Sequence, residues 1–202
     1  VKCGPDGALG ARLVAAGGSA TVVVDAVMYA TGRHANTAGL GLESAGVELR
    51  PDGAVVVDEY SRSTTENIFA VGDVTQRIAL TPVAIREGAA VATTLYGGVA
   101  TPADHVNVPH AVFSLPPVGV VGLGEAQARE LFANVKIFKT TFRPLKYTLS
   151  GRNERTLMKL VVDADSQRVV GAHMVGPDAP EIIQAIAIAV RAGLTKRDFD
   201  VT

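Results

Sequence analysis

The chain has 202 residues, of which 48% are hydrophobic and 19% are charged, and its formal net charge at pH 7 is −1. This composition is typical of one folded domain, or of two small ones, with a packed core. A balanced charge without a long basic run argues against nucleic acid or an anionic membrane as a partner, and the apolar stretches are shorter than the roughly 20 residues of a membrane span. A single cysteine excludes a disulfide framework within the chain and a cysteine-rich metal site.

The first part of the chain alternates apolar runs with glycine-rich turns, which is typical of an α/β unit. Two apolar runs, residues 21–30 and 67–73, predict strands that are buried on both faces of a sheet. A turn at residues 51–53 has proline and glycine in positions that favour it, and a short strand is predicted over residues 54–57.

A helix and a linker end this first unit. Thr81 is predicted to cap a helix that begins at Pro82 and runs to about Tyr96. Residues 97–109 combine glycine, proline, aspartate and asparagine, which is typical of a linker. We therefore place a domain boundary near residues 101–109.

The second part of the chain predicts short strands mixed with helices. The strands are predicted at residues 111–114, 118–121, 135–142, 156–162 and 168–174, and the helices at residues 125–132 and 180–192. The last two strands flank a short turn and should form a hairpin. The predicted fold class is an α/β segment followed by an α+β domain of antiparallel strands with helices.

Three features of the first unit could bind a ligand. Gly72-Asp73 ends a predicted strand, where open α/β sheets hold ligands, and Asp73 could accept hydrogen bonds from sugar hydroxyl groups. The helix start at Thr81-Pro82 favours negative charge through its free N–H groups, and Arg33 supplies a positive charge just after another strand. Each feature also has a plain structural interpretation: a strand-to-loop turn, ordinary helix capping and a surface arginine.

Other polar residues carry weaker signals. The glycines of residues 119–124 have the spacing of a dinucleotide fingerprint in reverse, so we interpret them as a structural turn. The histidines are scattered and none has a carboxylate at helical spacing, which argues against a metal site or an acid–base pair. Four basic residues bracket a proline-containing segment that could attract an acidic ligand or form a solvated edge; they are Arg143, Lys146, Arg152 and Arg155.

The order of several short motifs resembles one family, the flavin-containing pyridine-nucleotide disulfide oxidoreductases. The motifs of the first part are Ala30-Thr31-Gly32-Arg33, Val57-Asp58-Glu59-Tyr60, Ile68 to Val74 and Leu80 to Ala84. Those of the second part are Val112-Phe113-Ser114, Pro116-Pro117, Met158 to Asp163 and Gly176 to Glu181. The resemblance covers nearly the whole chain after about residue 20, and Thr140 to Leu145 is similar to the glutathione reductases of plants and cyanobacteria.

This resemblance implies three structural pieces. Residues 1–34 would finish an NADPH-binding domain, residues 35–106 would form the second part of an FAD-binding domain, and residues 107–202 would form a dimerisation domain. The implied cofactors are FAD and NADPH, the implied substrate is glutathione disulfide, and the implied assembly is a homodimer. The family's redox cysteine pair and its His-Pro motif are not in this sequence, so we expect no catalytic residue within it, no metal site and no turnover by this segment alone.

The resemblance also assigns roles to individual residues. Those implied to bind the cofactor are Gly32, Arg33, Gly72, Asp73, Leu80, Thr81, Pro82 and Val112. Those implied to border the disulfide substrate at the partner subunit's site are Thr141, Phe142, Pro144 and Leu145. The helix that begins near Thr81 would point its positive end at the flavin and stabilise the reduced, anionic form.

Two other interpretations of the function stay open. The chain could belong to another member of the family, such as a dihydrolipoyl dehydrogenase or a mercuric reductase. It could also be a non-catalytic dimerisation module. The expected compartment is the cytoplasm or a plastid, since any targeting segment would lie upstream of Val1.

Overall fold

The computed structural model describes residues 1–4 and 7–202 of the chain. The strands of the described part are β1 (Lys2–Cys3), β2 (Leu9–Ala15), β3 (Gly18–Val24), β4 (His110–Val112), β5 (Val118–Gly122), β6 (Val135–Phe142), β7 (Thr156–Asp163) and β8 (Val169–Val175). The helices are α1 (Thr81–Tyr96), α2 (Glu125–Leu131), α3 (Ala179–Arg191) and α4 (Lys196–Val201), with 3-10 turns at Gly72–Thr75 and Leu145–Tyr147. None of the described helices is both long and apolar enough to cross a membrane.

The first sheet has the strand order β1-β2-β3, and its main feature is the antiparallel hairpin of β2 and β3. Most side chains of β3 are exposed, and Val23 is 71% exposed. The strand predicted over residues 21–30 is confirmed only as far as Val24, and the prediction that both of its faces are buried is wrong. Burial of both faces requires layers above and below the strand, and no described helix packs extensively against β3.

Residues 35–80 are held together by turns and single bridges rather than by regular strands. The isolated bridges join Leu49 to Val55, Val57 to Ser63 and Arg62 to Phe69. The predicted strands over residues 54–57 and 67–73 are therefore wrong, since no described segment lies beside them over enough length to form a ladder. Side chains supply part of the missing hydrogen bonding: the Thr65 hydroxyl, for example, donates to the Ala45 carbonyl over 2.9 Å.

The helix predicted after this segment is confirmed as α1. Its first turn differs from the prediction in one respect: Leu80 occupies the N-cap position, and Thr81 is already helical. Pro82 stays within the first turn, where its missing N–H group is not needed. The helix ends at Gly97, whose N–H group donates to the Thr93 carbonyl over 2.8 Å.

The second sheet contains five antiparallel strands in the order β4-β5-β8-β7-β6. The strands and helices predicted from residue 111 onward are confirmed to within about two residues, and so is the hairpin of β7 and β8. The fold class predicted for this part, an antiparallel sheet with helices, is confirmed. Helix α3 packs on the face formed by β5 and β8.

The core of this second unit lies between the sheet and α3. Ile183, Ala187 and Val190 follow one another at intervals of four and three residues, so they form a single apolar stripe along α3. They pack with Val121 and Val162 of the sheet, and every one of these five side chains is at most 5% exposed. Burial of this stripe is what fixes α3 on the sheet.

The linker between the two units is attached to α3 by an ion pair. The Arg191 guanidinium contacts the Asp104 carboxylate and also donates to the Val106 carbonyl over 3.2 Å. The hydrogen bond from Arg191 lowers the pKa of Asp104 to about 2. Both side chains keep a third or more of their surface in water, so the pair belongs to the weakly stabilising class.

We expect the substitution Gly119→Ala to destabilise the second unit. A Cβ atom at this position of β5 would lie 2.6 Å from the Ala179 carbonyl oxygen and 2.9 Å from Ile183 Cβ, so α3 would have to move off the sheet. Overpacking of this kind costs about 1–3 kcal/mol. Urea unfolding measures the loss, and Gly17→Ala is the control because nothing lies within 4 Å of a Cβ atom there. Equal stability of the two variants would contradict the close approach.

The ion pair between Asp104 and Arg191 should make a small contribution to stability that depends on pH. Because the folded-state pKa of Asp104 lies below the ordinary value of 3.8, the contribution is present above that value and is lost as the pH falls towards 2. We expect Asp104→Asn to lower the free energy of unfolding at pH 7 by about 0.2–1 kcal/mol. The difference should shrink as the pH falls through about 2 and vanish below that value. A difference that stays constant over this range would argue against the pair.

Candidate functional site

An open cleft of about 1180 Å³ lies on the first unit and contains several of the residues that the sequence singled out. Its lining includes Gly32, Arg33 and Asp73, with Gln76 and Ala79 on the path to α1. Gly32 and Asp73, which are 41 positions apart in the sequence, thus lie on one surface. The cleft is the first candidate site because it combines two opposite charges with an approach to the start of a helix.

The 3-10 turn Gly72–Thr75 presents Asp73 to this cleft. Gly72 has a φ of +74°, and a Cβ atom added to it would lie 3.0 Å from Ala84 Cβ, so only glycine lets the turn lie against α1. The Thr75 hydroxyl donates to the Gly72 carbonyl over 2.8 Å, and the N–H group of Val55 donates to the Val74 carbonyl over 3.0 Å. The turn is fixed from both sides, and the Asp73 carboxylate is left exposed.

The two charged side chains of the cleft interact only weakly with each other. Arg33 Nη1 lies 4.0 Å from Asp73 Oδ2, and both side chains are more than half exposed. An exposed ion pair of this length contributes little free energy, so either side chain can reorient towards a ligand with little loss of stability. The carboxylate can accept hydrogen bonds from hydroxyl groups, and the guanidinium can meet an anion or an electron-rich ring edge.

The start of α1 adds a partial positive charge beyond this cleft. Within the described residues no side chain caps the helix, and the N–H groups of Val83 and Ala84 both donate to the Leu80 carbonyl over 3.0 Å. Thr81 and Pro82 are exposed at the tip of the helix. The helix dipole therefore favours negative charge at this point.

A second cleft, of about 540 Å³, places the start of α1 next to the second unit. Leu80, His105 and His110 line it. Val112 is two residues beyond His110 on the edge strand β4, so both side chains point to the same face of that strand. Val112 does not line the cleft that contains Arg33.

The predicted substrate residues lie at the opposite edge of the second sheet. Thr141 and Phe142 end the edge strand β6, and Pro144 and Leu145 lead into the 3-10 turn Leu145–Tyr147. All of them are exposed or half-buried, and Leu145 is 87% exposed. The strands β4 and β6 are separated by four strand spacings, which is about 19 Å. The structure thus leaves the two predicted sets of residues at separate surfaces of one chain.

A buried charge cluster, which the sequence did not reveal, lies behind Asp73. Glu87 of α1 is 1% exposed, and its Oε2 atom accepts a hydrogen bond of 2.6 Å from the N–H group of Gly72. Its Oε1 atom lies 3.0 Å from Arg77 Nη2 and 2.7 Å from His105 Nε2. The sequence offered no histidine with a carboxylate at helical spacing, and it therefore missed the pair of His105 and Glu87, which is made between segments 18 positions apart.

The charged form of Glu87 is favoured in this environment. Burial by itself raises the pKa of a carboxyl group, but the hydrogen bonds from Gly72 and His105 and the charge of Arg77 outweigh it. The pKa of Glu87 consequently lies below its ordinary value. Glu87 is thus an anion that is held inside the protein by three donors.

One sequence signal could have identified Glu87. The buried residues of α1 are Val83, Glu87 and Ala90, which are spaced by four and three positions. They lie on one face of the helix, and a charged residue on an otherwise apolar face is unusual enough to suggest a buried partner. No comparable signal marks Arg77 or His105, which lie outside regular elements. Among the described residues no group of three or more His, Cys, Asp or Glu side chains is arranged to hold a metal ion.

Comparison with known proteins links both halves of the chain to one family. Residues 4–88 match the model described as pyridine nucleotide-disulphide oxidoreductase. Residues 108–202 match the pyridine nucleotide-disulphide oxidoreductase dimerisation domain. The two matches follow the order of the two units described above.

Individual relatives agree with these matches. The chain is 59% identical to a glutathione reductase of Burkholderia cepacia over 89% of this chain and 40% of the relative. It is 51% identical to the chloroplastic/mitochondrial glutathione reductase of Pisum sativum over 87% of this chain and 32% of the relative. The chain therefore spans less than half the length of these curated relatives.

A solved structure supports the same assignment at the level of the fold. The HOCl-induced flavoprotein disulfide reductase RclA from Escherichia coli aligns with a TM-score of 0.80 and 34% identity, over 87% of this chain and 41% of that one. The resemblance inferred from the motifs is confirmed by these independent comparisons. From the two family matches and the shared fold, we conclude that the chain belongs to the pyridine nucleotide-disulphide oxidoreductase family.

Proposed function

We propose that this chain is part of a flavoprotein that uses NADPH to reduce glutathione disulfide. The observation that carries the proposal is the 59% and 51% identity to two glutathione reductases over almost nine tenths of the chain. An alignment of this length spans the cleft residues and the 141–145 segment alike. The alternatives within the family, a dihydrolipoyl dehydrogenase or a mercuric reductase, are separated from this proposal by the assays below.

The cleft of the first unit has the chemistry that a flavin dinucleotide requires. Asp73 offers an exposed carboxylate for hydroxyl groups, and Gly72 has no side chain that would keep the turn away from α1. The uncapped start of α1 offers a partial positive charge to the end of the ring system that becomes electron-rich on reduction. These features support Gly32, Arg33, Gly72, Asp73, Leu80, Thr81 and Pro82 as FAD-binding residues. Val112 lies outside this cleft, and its role rests on the family resemblance alone.

The residues of this chain would hold and orient the reacting groups rather than perform the chemistry themselves. When bound, FAD supplies the step between hydride transfer from NADPH and reduction of a disulfide. Asp73 would anchor the cofactor, and the α1 dipole would lower the free energy of its reduced form. The segment from Thr141 to Leu145 would form an apolar and hydroxyl-bearing wall for glutathione disulfide.

The assembly and the domain limits follow from the same proposal. Residues 1–34 would complete the NADPH-binding domain, residues 35–106 the FAD-binding domain, and residues 107–202 would form the interface of a homodimer. The separation of about 19 Å between the edges of the second sheet supports a substrate wall that serves the partner subunit's cleft. The compartment, cytoplasm or plastid, stays a prediction.

The proposal is tested by a steady-state assay of the full-length protein that contains this chain. We expect NADPH oxidation that depends on glutathione disulfide and exceeds the rate with NADH. Parallel assays with dihydrolipoamide and NAD⁺, and with Hg²⁺ and NADPH, test the other family members. Turnover with one of these and none with glutathione disulfide would replace the proposal, and no turnover with any of them would favour a non-catalytic dimerisation module.

We expect the substitution Leu145→Ala to weaken substrate binding without weakening FAD binding. Leu145 is 87% exposed in the chain, so its truncation leaves the fold intact, but it would remove apolar contact with glutathione disulfide. The KM should rise about tenfold while kcat stays nearly constant. Leu149→Ala is the matched control, because Leu149 is fully exposed four residues away and lies outside the predicted substrate wall. An equal KM for both variants would remove Leu145 from the substrate wall.

A further inference from the structure

Glu87 has the largest of the side chains that are almost fully buried in the described part of the chain. A carboxylate without partners in such a position would cost several kcal/mol, so the surrounding donors are a condition of folding. The donors are the N–H group of Gly72, Arg77 Nη2 and His105 Nε2, at 2.6, 3.0 and 2.7 Å. They are contributed by three separate segments: the Asp73 turn, the approach to α1 and the linker.

The geometry joins this buried charge directly to the cleft. The peptide N–H group that donates to Glu87 belongs to Gly72, which precedes Asp73. The same carboxylate is carried by α1, whose start at Thr81 is less than two turns away along the helix. One side chain therefore fixes the distance between the Asp73 carboxylate and the positive end of α1.

Arg77 adds a second tie within the same unit. Its Nη2 atom donates to the Ser61 hydroxyl over 2.7 Å as well as meeting Glu87. Arg77 also lines both clefts, so its side chain separates the Asp73 cleft from the cleft at Leu80. A shift of the Glu87 carboxylate would move the walls of both.

The linker carries the third tie. His105, which contacts Glu87, is the neighbour of Asp104, which contacts Arg191 on α3. The linker is thus held on one side by α1 and on the other by the second unit. The position of the buried carboxylate therefore affects how the two units pack against each other.

We propose that Glu87 is a positioning residue for FAD, which holds the Gly72–Asp73 turn and the start of α1 in the one arrangement that binds the cofactor. This inference rests on the proposed function, because it takes the cleft to be the FAD site. Glu87 acts through the Gly72 N–H group and touches no cofactor atom itself. The role differs from general stabilisation in that it predicts a loss of FAD affinity mediated by Asp73.

The test uses the full-length protein with FAD removed, and measures the Kd for FAD by flavin fluorescence. Glu87→Gln keeps the size of the side chain, but the NH₂ group of glutamine is itself a donor. At least one of the three donors around this position therefore loses its acceptor. We expect the Kd to rise at least about tenfold, which is the loss of one hydrogen bond to a charged group. Glu66→Gln is the control, because Glu66 is exposed in the same unit and has no ion pair among the described residues.

Two further measurements separate positioning from mere stability. The unfolding midpoint of the cofactor-free protein is recorded, and the Kd is measured well below the midpoint of every variant. The double variant Asp73→Asn/Glu87→Gln is compared with the two single variants. If Glu87 acts through Asp73, the combined loss of affinity is smaller than the product of the two single losses.

The outcomes distinguish this inference from the proposed function. A native protein that binds no FAD would overturn both. If Asp73→Asn weakens FAD binding and Glu87→Gln does not, the cleft is still the FAD site but the positioning role is overturned. The same conclusion follows if the loss of affinity in the double variant equals the product of the two single losses. If Glu87→Gln does not fold, Arg77→Gln replaces it in the same experiment. The positioning role is supported if Arg77→Gln raises the Kd for FAD and the loss in its double variant with Asp73→Asn is smaller than the product of the single losses. An unchanged Kd overturns the role.

Discussion

A carboxylate that is 1% exposed exists in a folded protein only where hydrogen-bond donors surround it, and Glu87 satisfies that condition with groups from three segments. The donors are separated by up to 33 positions in the sequence, and each that moved away would leave the buried charge with fewer partners. The Asp73 turn, the approach to α1 and the linker consequently take up their positions together. The candidate cofactor cleft owes its shape to this requirement.

The two units of the chain are stabilised in different ways. The second unit has an apolar core in which valines of the sheet and the stripe of α3 exclude water. In the segment of residues 35–80, much of what is buried is polar, as at Thr37, Ser61, Ser63 and Thr75. Hydrogen bonds of side chains with the backbone hold such residues in place, and they fix directions more strictly than apolar contacts do. This suits a surface that must present a carboxylate and a helix end at a set distance.

The separation of the candidate surfaces has a consequence for the proposed reaction. The cleft with Arg33 and Asp73 lies on the first unit, whereas Thr141 to Leu145 lies at the far edge of the second sheet. Within one chain these surfaces are not brought together. A homodimer, as proposed, would place the wall of one subunit at the cleft of the other, so that the dimerisation domain would be part of the substrate site as well as of the interface.

The sequence by itself determined the helices α1, α2 and α3, the antiparallel strands from residue 111 onward, the family and several residues of the cleft as candidates, but it did not predict α4. These succeed because they depend on neighbours in the chain: a helix follows its own periodicity, and the strands β7 and β8 are joined by a short turn. The strand predicted over residues 67–73 fails for the opposite reason, since a strand needs a sheet neighbour that the apolar run does not specify. The run over residues 21–30 forms a strand only as far as Val24, where its pairing with β2 ends. Only the tertiary structure decided that Glu87, Arg77 and His105 meet behind Gly72, because their contact depends on the rotation of α1 and the path of the linker. The spacing of Val83, Glu87 and Ala90 marks Glu87 on the buried face of α1, but no pattern in the sequence identifies its partners.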